Sequence, residues 1–170
     1  MLHIFFPSYF FVGSDIELAR RENNNTFYKK FKKHKYDKFV KTIFLMQLFC
    51  KEKFIPNLIE YNESNLEIIS SDCGNLLTIN TLPSNWENQL LNIKKECIKH
   101  HILLRDWGPW EVNPFLINNI TIKNEILYFI DLGDAEYGNR EIIEKYFQKK
   151  IKSINLILKY SYLYLLFHYP

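Results

Sequence analysis

Glycine and alanine are scarce in this chain: its 170 residues hold five glycines and two alanines, while Asn, Ile, Lys, Phe and Tyr are used heavily. We read that as a bias of coding composition and attach no function to it. Cysteine is scarce as well. Cys50, Cys73 and Cys97 are odd in number, far apart and form no C-x-x-C pair, which argues against a zinc site and against a disulfide framework. A reducing, intracellular (cytoplasmic) compartment is the expectation. Excess charge is missing too, since a formal net charge of +3 is too small to imply a nucleic-acid partner. No stretch reaches the ~20 apolar residues that a membrane span needs. The most apolar one, residues 154–167, is interrupted by Lys159 and is expected to be a buried core helix. Residues 1–12 are apolar but lack a basic leader and a small-residue cleavage site, so no signal peptide is expected. No internal repeat is visible.

What is present suits one globular domain spanning residues 1–170. Hydrophobic residues make up 47% and charged residues 24%, an ordinary globular balance. Residues 10–12 read as a strand meeting Gly13. Residues 17–21 and 26–31 read as two more, joined by the Asn23-Asn24-Asn25 turn. Residues 36–50 have helical period, with Phe39, Ile43, Met46 and Cys50 on one face. Strands at 57–61 and 66–70 follow, and Asp72-Cys73-Gly74-Asn75 breaks the second. Ser84, with Glu87 three residues later, is expected to cap a helix over 86–101 through a capping box. Next come a short strand at 102–104 and an irregular loop at 105–113. A hairpin of 115–117 with 126–130 is expected around a turn at 118–125. A long helix then starts near Arg140, with Ile143, Phe147, Ile151, Ile154 and Leu158 on its apolar row. Sheet-rich and helix-rich parts are segregated, which is an α+β arrangement.

Three polar features interrupt these apolar segments: Lys29 with Lys30 in the third strand, Asp106 with Asn113 in the loop, and Asp131 at a strand end. Phosphoryl transfer uses such a set. A cation holds the nucleotide phosphates, oxygen ligands hold magnesium, and a carboxylate orients or deprotonates the attacking hydroxyl. Each feature also has a plainer reading. Asp131-Leu132-Gly133-Asp134 is what an Asp-Gly turn after a strand looks like. Asp106 fits a turn or cap, and Asn113-Pro114 fits the start of a strand. Lys29 is one of seven lysines, with Lys30, Lys32, Lys33, Lys35, Lys38 and Lys41. Such a cluster forms a solvated face or an arm that touches phosphates.

The order of these features resembles the protein-kinase superfamily over nearly the whole chain. Asp131-Leu132-Gly133 is similar to the D-F-G motif, and its flank Ile-Asp-Leu-Gly-Asp-Ala looks most like atypical and small-molecule kinases. Leu104-Arg105-Asp106 is similar to H-R-D, Asn113-Pro114-Phe115 looks like the end of the catalytic loop, and Gly13 with Leu18 resembles a remnant of the glycine-rich loop. The resemblance implies a minimal protein-kinase-like fold. An antiparallel sheet lobe with one helix (1–72) would lead through a hinge (73–77) into a shortened, mostly helical lobe (78–170). It also implies ATP and Mg2+ as cofactors. Asp106 would be the catalytic base, with Asn113 and Asp131 on the metal. Gly13, Lys29, Lys30, Asp72 and Cys73 would lie along the nucleotide. Lys29 is preferred to Lys30 because strand alternation puts it on the face of Phe27.

The chain also departs from that pattern. Asp106 and Asn113 have six residues between them, so the loop must bulge if both reach one metal. Leu104 stands where a His is usual, residues 36–50 contain no Glu to pair with Lys29, and no A-P-E-like segment follows Asp131. The resemblance therefore implies an ATP-dependent phosphotransferase acting on a protein Ser/Thr or small-molecule hydroxyl. A pseudokinase serving as a binding or scaffold module is the alternative. A nucleic-acid-binding use of the lysine cluster ranks last.

Overall fold

The computed structural model describes the backbone of residues 9–10, 14–22, 25–111 and 113–168, and the side chains among these from 14 to 160. Gly13, Asn23 and Asn24, and with them most of the expected first strand and first turn, lie outside the described residues. The chain divides into two compact units, Met1–Cys73 and Gly74–Pro170.

The first unit is a five-stranded antiparallel sheet with one helix. Strands β1 (Tyr9–Phe10), β2 (Ile16–Glu22), β3 (Thr26–Phe31), β4 (Leu58–Asn62) and β5 (Glu67–Ser71) lie in the order β1-β2-β3-β5-β4. Helix α1 (Tyr36–Leu48) buries Phe39, Ile43, Leu45 and Met46. Phe39 meets Phe31 of β3 edge-on, with ring centroids 5.8 Å apart. Cys50, expected on the same helical row, is exposed. The helix stops two residues earlier, where the Phe49 amide makes its last α-type bond to the Leu45 carbonyl. Burying a row of this kind, at about 25 cal/mol per Å2 of apolar surface, is what holds an amphipathic helix to a sheet.

Much of the lysine run is spent inside this unit. Asp15 takes Lys35 at 2.8 Å and also Lys38, its carbonyl accepts from the Lys32 amide, and Lys30 sits 3.5 Å from Glu17. Burial pushes the Asp15 carboxyl up, but the two lysines outweigh it and hold the group at about 2.

The second unit opens at Gly74. Its φ is +84°, and a Cβ there would lie 2.0 Å from the Ile122 carbonyl oxygen. Only a glycine lets the backbones come that close. Strand β6 (Asn75–Thr78) then pairs with β9 (Leu116–Lys123), and β9 pairs with β10 (Ile126–Phe129). Helix α2 (Trp86–His100) buries Trp86, Leu90, Ile93 and Cys97. Its N-cap is Asn85 rather than Ser84, and the expected capping box does not form. The Asn85 side chain instead accepts from Gln89 at 2.7 Å. Gln89 also donates to the Glu125 carbonyl and accepts from the Leu127 amide, tying α2 to the hairpin.

The hairpin differs from expectation in a way that bears on the site. The turn foreseen over 118–125 shrinks to Asn124 and Glu125, both at positive φ, as a two-residue hairpin turn requires. Asn118 to Lys123 extend the strand, because Ile120, Thr121 and Ile122 are β-branched and pair with Phe129, Tyr128 and Leu127. Short strands β7 (Ile102–Leu103) and β11 (Glu136–Tyr137) pair with each other, and β8 (Gly108–Pro109) pairs with β9. Helix α3 (Arg140–His168) is capped by Asn139, whose Oδ1 accepts from the Ile142 amide at 2.9 Å. It buries Ile143, Phe147, Ile151 and Ile154. Among the described residues no helix is long and apolar enough to cross a membrane.

Candidate active site

The loop after α2 is where the second unit stops being regular. His101 closes the helix in the left-handed region, and after β7 the chain reaches Leu104, Arg105 and Asp106, the last with φ +62°. Aspartate is among the few non-glycine residues that enter this region readily, and the neighbours fix it there. Trp107 is 1% exposed. Its indole N–H donates to the Leu104 carbonyl at 3.1 Å. Its ring lies 5.3 Å from Phe129 and 5.1 Å from Phe147. The Asp106 amide donates to the Tyr146 hydroxyl at 3.1 Å. The Asp106 carbonyl accepts from the Asn119 amide group at 2.8 Å and from that of Asn118 at 3.3 Å. Every backbone polar group of Asp106 is thereby satisfied. Its side chain is exposed, and among the described residues the carboxylate makes no hydrogen bond or ion pair. Leu104, at the usual His position, is buried, and Trp107 and Tyr146 supply the bonds that pin the loop.

The residues expected to bulge form a second hairpin: Gly108 pairs with Asn118, Pro109 with Ile117, and the Trp110 amide bonds to the Leu116 carbonyl. Asn113 lies at its tip, where its Oδ1 accepts from the Phe115 amide at 3.2 Å and its carbonyl from the Leu116 amide. Asn118 and Asn119 are the side chains that reach the Asp106 backbone, both donating to its carbonyl. They were missed because paired asparagines read as a turn. The signal was the alternation Asn-Ile-Thr-Ile, an Asn entering a β-branched strand whose partner ends at Asp131.

That partner strand brings Asp131 to the same end. The Ile130 amide bonds to the Asn119 carbonyl at 3.2 Å, and Asp131 is the next residue. Leu132 is fully buried beyond it, and the Ala135 amide closes a turn on the Leu132 carbonyl. Arg105 reaches Glu136 at 2.7 Å, fastening the Asp106 loop to the segment after that turn. Asp106, Asn119 and Asp131 thus gather at one end of the β9–β10 hairpin. The hard oxygens of Asp131 and Asn119 suit magnesium, which takes one or two protein carboxylates and completes its shell with phosphates and water. Among the described residues no group of three or more His, Cys, Asp or Glu forms an all-protein metal cage.

The remaining expected residues belong to the first unit. Lys29 lies on the Phe31 side of β3, its ammonium 5.5 Å from that ring, while Lys30 is beside Glu17. The Asp72 carboxylate is held by Arg21 at 2.9 Å, and its amide donates to the Asn25 carbonyl. Cys73 is buried and its thiol donates to the Ser71 carbonyl. Cys97 is also buried, which pushes its thiol up to about 12, so it does not serve as a nucleophile.

No protein-family model matches the chain, and no curated protein does. Among solved structures it is similar to a complex of the Rio2 kinase with ADP/Mg2+ and phosphoaspartate from Chaetomium thermophilum. The TM-score is 0.54 at 14% identity, covering 89% of this chain and 54% of the other. The chain thus spans about half the length of that structure. It is also similar to a ternary complex of APH(2")-IIa with streptomycin and ATP, with TM-score 0.49 at 15% identity over 86% of this chain and 76% of the other.

Proposed function

We propose that this chain, whose fold is the protein-kinase-like one, is an ATP- and magnesium-dependent phosphotransferase acting on a protein or small-molecule hydroxyl. The observation that carries the reading is the gathering of Asp106, Asn119 and Asp131 at one hairpin end, with the Asp106 backbone tied and its carboxylate left exposed. Asp131 and the Oδ1 of Asn119 would hold magnesium, which would supply charge neutralisation of the nucleotide phosphates. Asp106 accepts the proton of the attacking hydroxyl as the bond from the γ-phosphorus to ADP breaks and the bond to the acceptor oxygen forms. The kinase-like reading assigns Lys29 of β3 to the phosphates. In the same reading the backbone at Asp72 and Cys73 would serve the nucleotide, with the Asp72 carboxylate committed to Arg21. Three free cysteines agree with a reducing intracellular compartment.

The test is a thermal shift with ATP in the presence and absence of magnesium, on the parent chain and on Asp131→Ala. The parent should be stabilised by several degrees only when both are present. Asp131→Ala should lose that gain and at least a hundredfold of transfer while melting near the parent without ligand. A parent chain indifferent to ATP and magnesium sinks the proposal.

The scaffold alternative has its own observations. A groove of about 730 Å3 lies between the end of α1 and β4, lined by Met46, Leu58, Ile59 and Tyr61 among others. Leu156 and Tyr160 are exposed on α3.

A further inference from the structure

Helix α3 brings an unclaimed cation to the Asp106 loop. Gly108, two residues after Asp106, has φ +122° and no side chain, and Lys150 fills the space a side chain would occupy. A Cβ at Gly108 would meet Lys150 Cδ at 2.9 Å and Nζ at 3.3 Å. The ammonium stands 5.3 Å from the centre of the Tyr146 ring, and the Tyr146 hydroxyl is the group that accepts the Asp106 amide. Lys150 and Tyr146 lie one helical turn apart, so one face of α3 both positions the Asp106 backbone and carries the cation.

Lys150 is half-buried, and among the described residues its ammonium makes no ion pair. Burial disfavours its charged form, Asp106 and Glu111 favour it, and Lys149 and Arg105 oppose it. Arg105 differs in being committed to Glu136 at 2.7 Å. A half-buried cation without a counter-ion is costly to keep unless something anionic visits it. Its position fits that visitor to the proposed chemistry. The carboxylate of Asp106 repels the oxygens of a phosphoryl group, and a nearby positive charge offsets the repulsion while leaving the carboxylate free for the acceptor proton.

We propose that Lys150, lodged in the vacancy at Gly108 and backed by the Tyr146 ring, binds the terminal phosphate of the nucleotide as it passes to the acceptor. This rests on the phosphotransferase reading above. Lys150 neither gives nor takes a proton in the step: the γ-phosphorus leaves the ADP oxygen, bonds the acceptor oxygen, and the acceptor proton goes to Asp106. A lysine suits the task as a compact, mobile point charge on a flexible stem.

The experiment is titration calorimetry of the full chain with MgADP and with MgATP, together with ATP turnover, on the parent, Lys150→Met and Lys150→Arg. Lys150→Met keeps an apolar stem against Gly108 and removes only the charge. We expect MgADP affinity within twofold of the parent in both variants. MgATP affinity should fall about tenfold in Lys150→Met and turnover about a hundredfold, with most of the loss restored in Lys150→Arg. Equal treatment of MgATP by parent and Lys150→Met overturns the inference, and so does an equal loss of both nucleotides, which marks a structural part. The ATP-against-ADP difference decides even where turnover is undetectable. A parent chain that binds neither nucleotide removes the phosphotransferase reading itself, an outcome distinct from both.

Discussion

In the first unit four acidic groups are matched to bases: Asp15 to Lys35 and Lys38, Glu17 to Lys30, Glu22 to Arg20, Asp72 to Arg21. In the second, Asp106 has its backbone bound on both sides and its carboxylate bound by nothing among the described residues. The same residue type closes a surface in one place and leaves its carboxylate exposed in the other. What separates the two is where the protein invests its order. Around Asp15 the order lies in the charges themselves, whereas around Asp106 it lies in Trp107, Tyr146 and Asn119, which hold the peptide so that the carboxylate need not be held. A group positioned through its backbone stays available to a substrate.

The comparison breaks most severely at Trp107. Trp107→Ala removes a fully buried ring packed on Phe129 and Phe147, and should cost about 3–5 kcal/mol in urea unfolding. A cost below about 1 kcal/mol would mean that the loop is held by something else. The next test separates the two asparagine positions. Asn119→Ala should lower transfer by about ten- to a hundredfold, roughly 1.4–2.7 kcal/mol, while Asn113→Ala stays within about threefold of the parent. The reverse ranking would return the metal ligand to the hairpin tip.

The smallest effect is expected at Asp15. Its folded pKa of about 2 lies below the ordinary 3.8, so its stabilising contribution is present in full above the ordinary value. It is lost as pH falls through about 2. Asp15→Asn should therefore cost about 1–2 kcal/mol near neutral pH, with the gap from the parent closing at the acid end. A gap that does not change with pH would show that the lysines act through shape rather than charge.

The periodic parts of this fold are legible in the sequence because burial enforces period. Of the expected row Ile143, Phe147, Ile151, Ile154 and Leu158, the first four are buried and Leu158 is half-buried, and Phe39, Ile43 and Met46 are buried as expected. The order of a sheet, a helix and a strand-final Asp131 sufficed to suggest the kinase-like architecture. Local polar chemistry was harder. Asn85 and Ser84 are equally good caps by residue type, and the choice falls to Gln89, whose side chain is fixed by a hairpin thirty-six residues away along the chain. Asn118 and Asn119 resemble a turn until β-branched neighbours and a partner strand outweigh them. Lys150 carries no local mark, since its meaning depends on the empty position at Gly108.

Gly74 sets a limit of a different kind. An added Cβ there would collide with backbone, the Ile122 carbonyl, while at Gly108 it would meet only the movable stem of a lysine. In a chain with only five glycines, the first position admits no other residue: any replacement forces apart the strands that begin the second unit. The two glycines therefore differ in kind, one a fixed point of the architecture, the other a vacancy that a neighbouring helix fills.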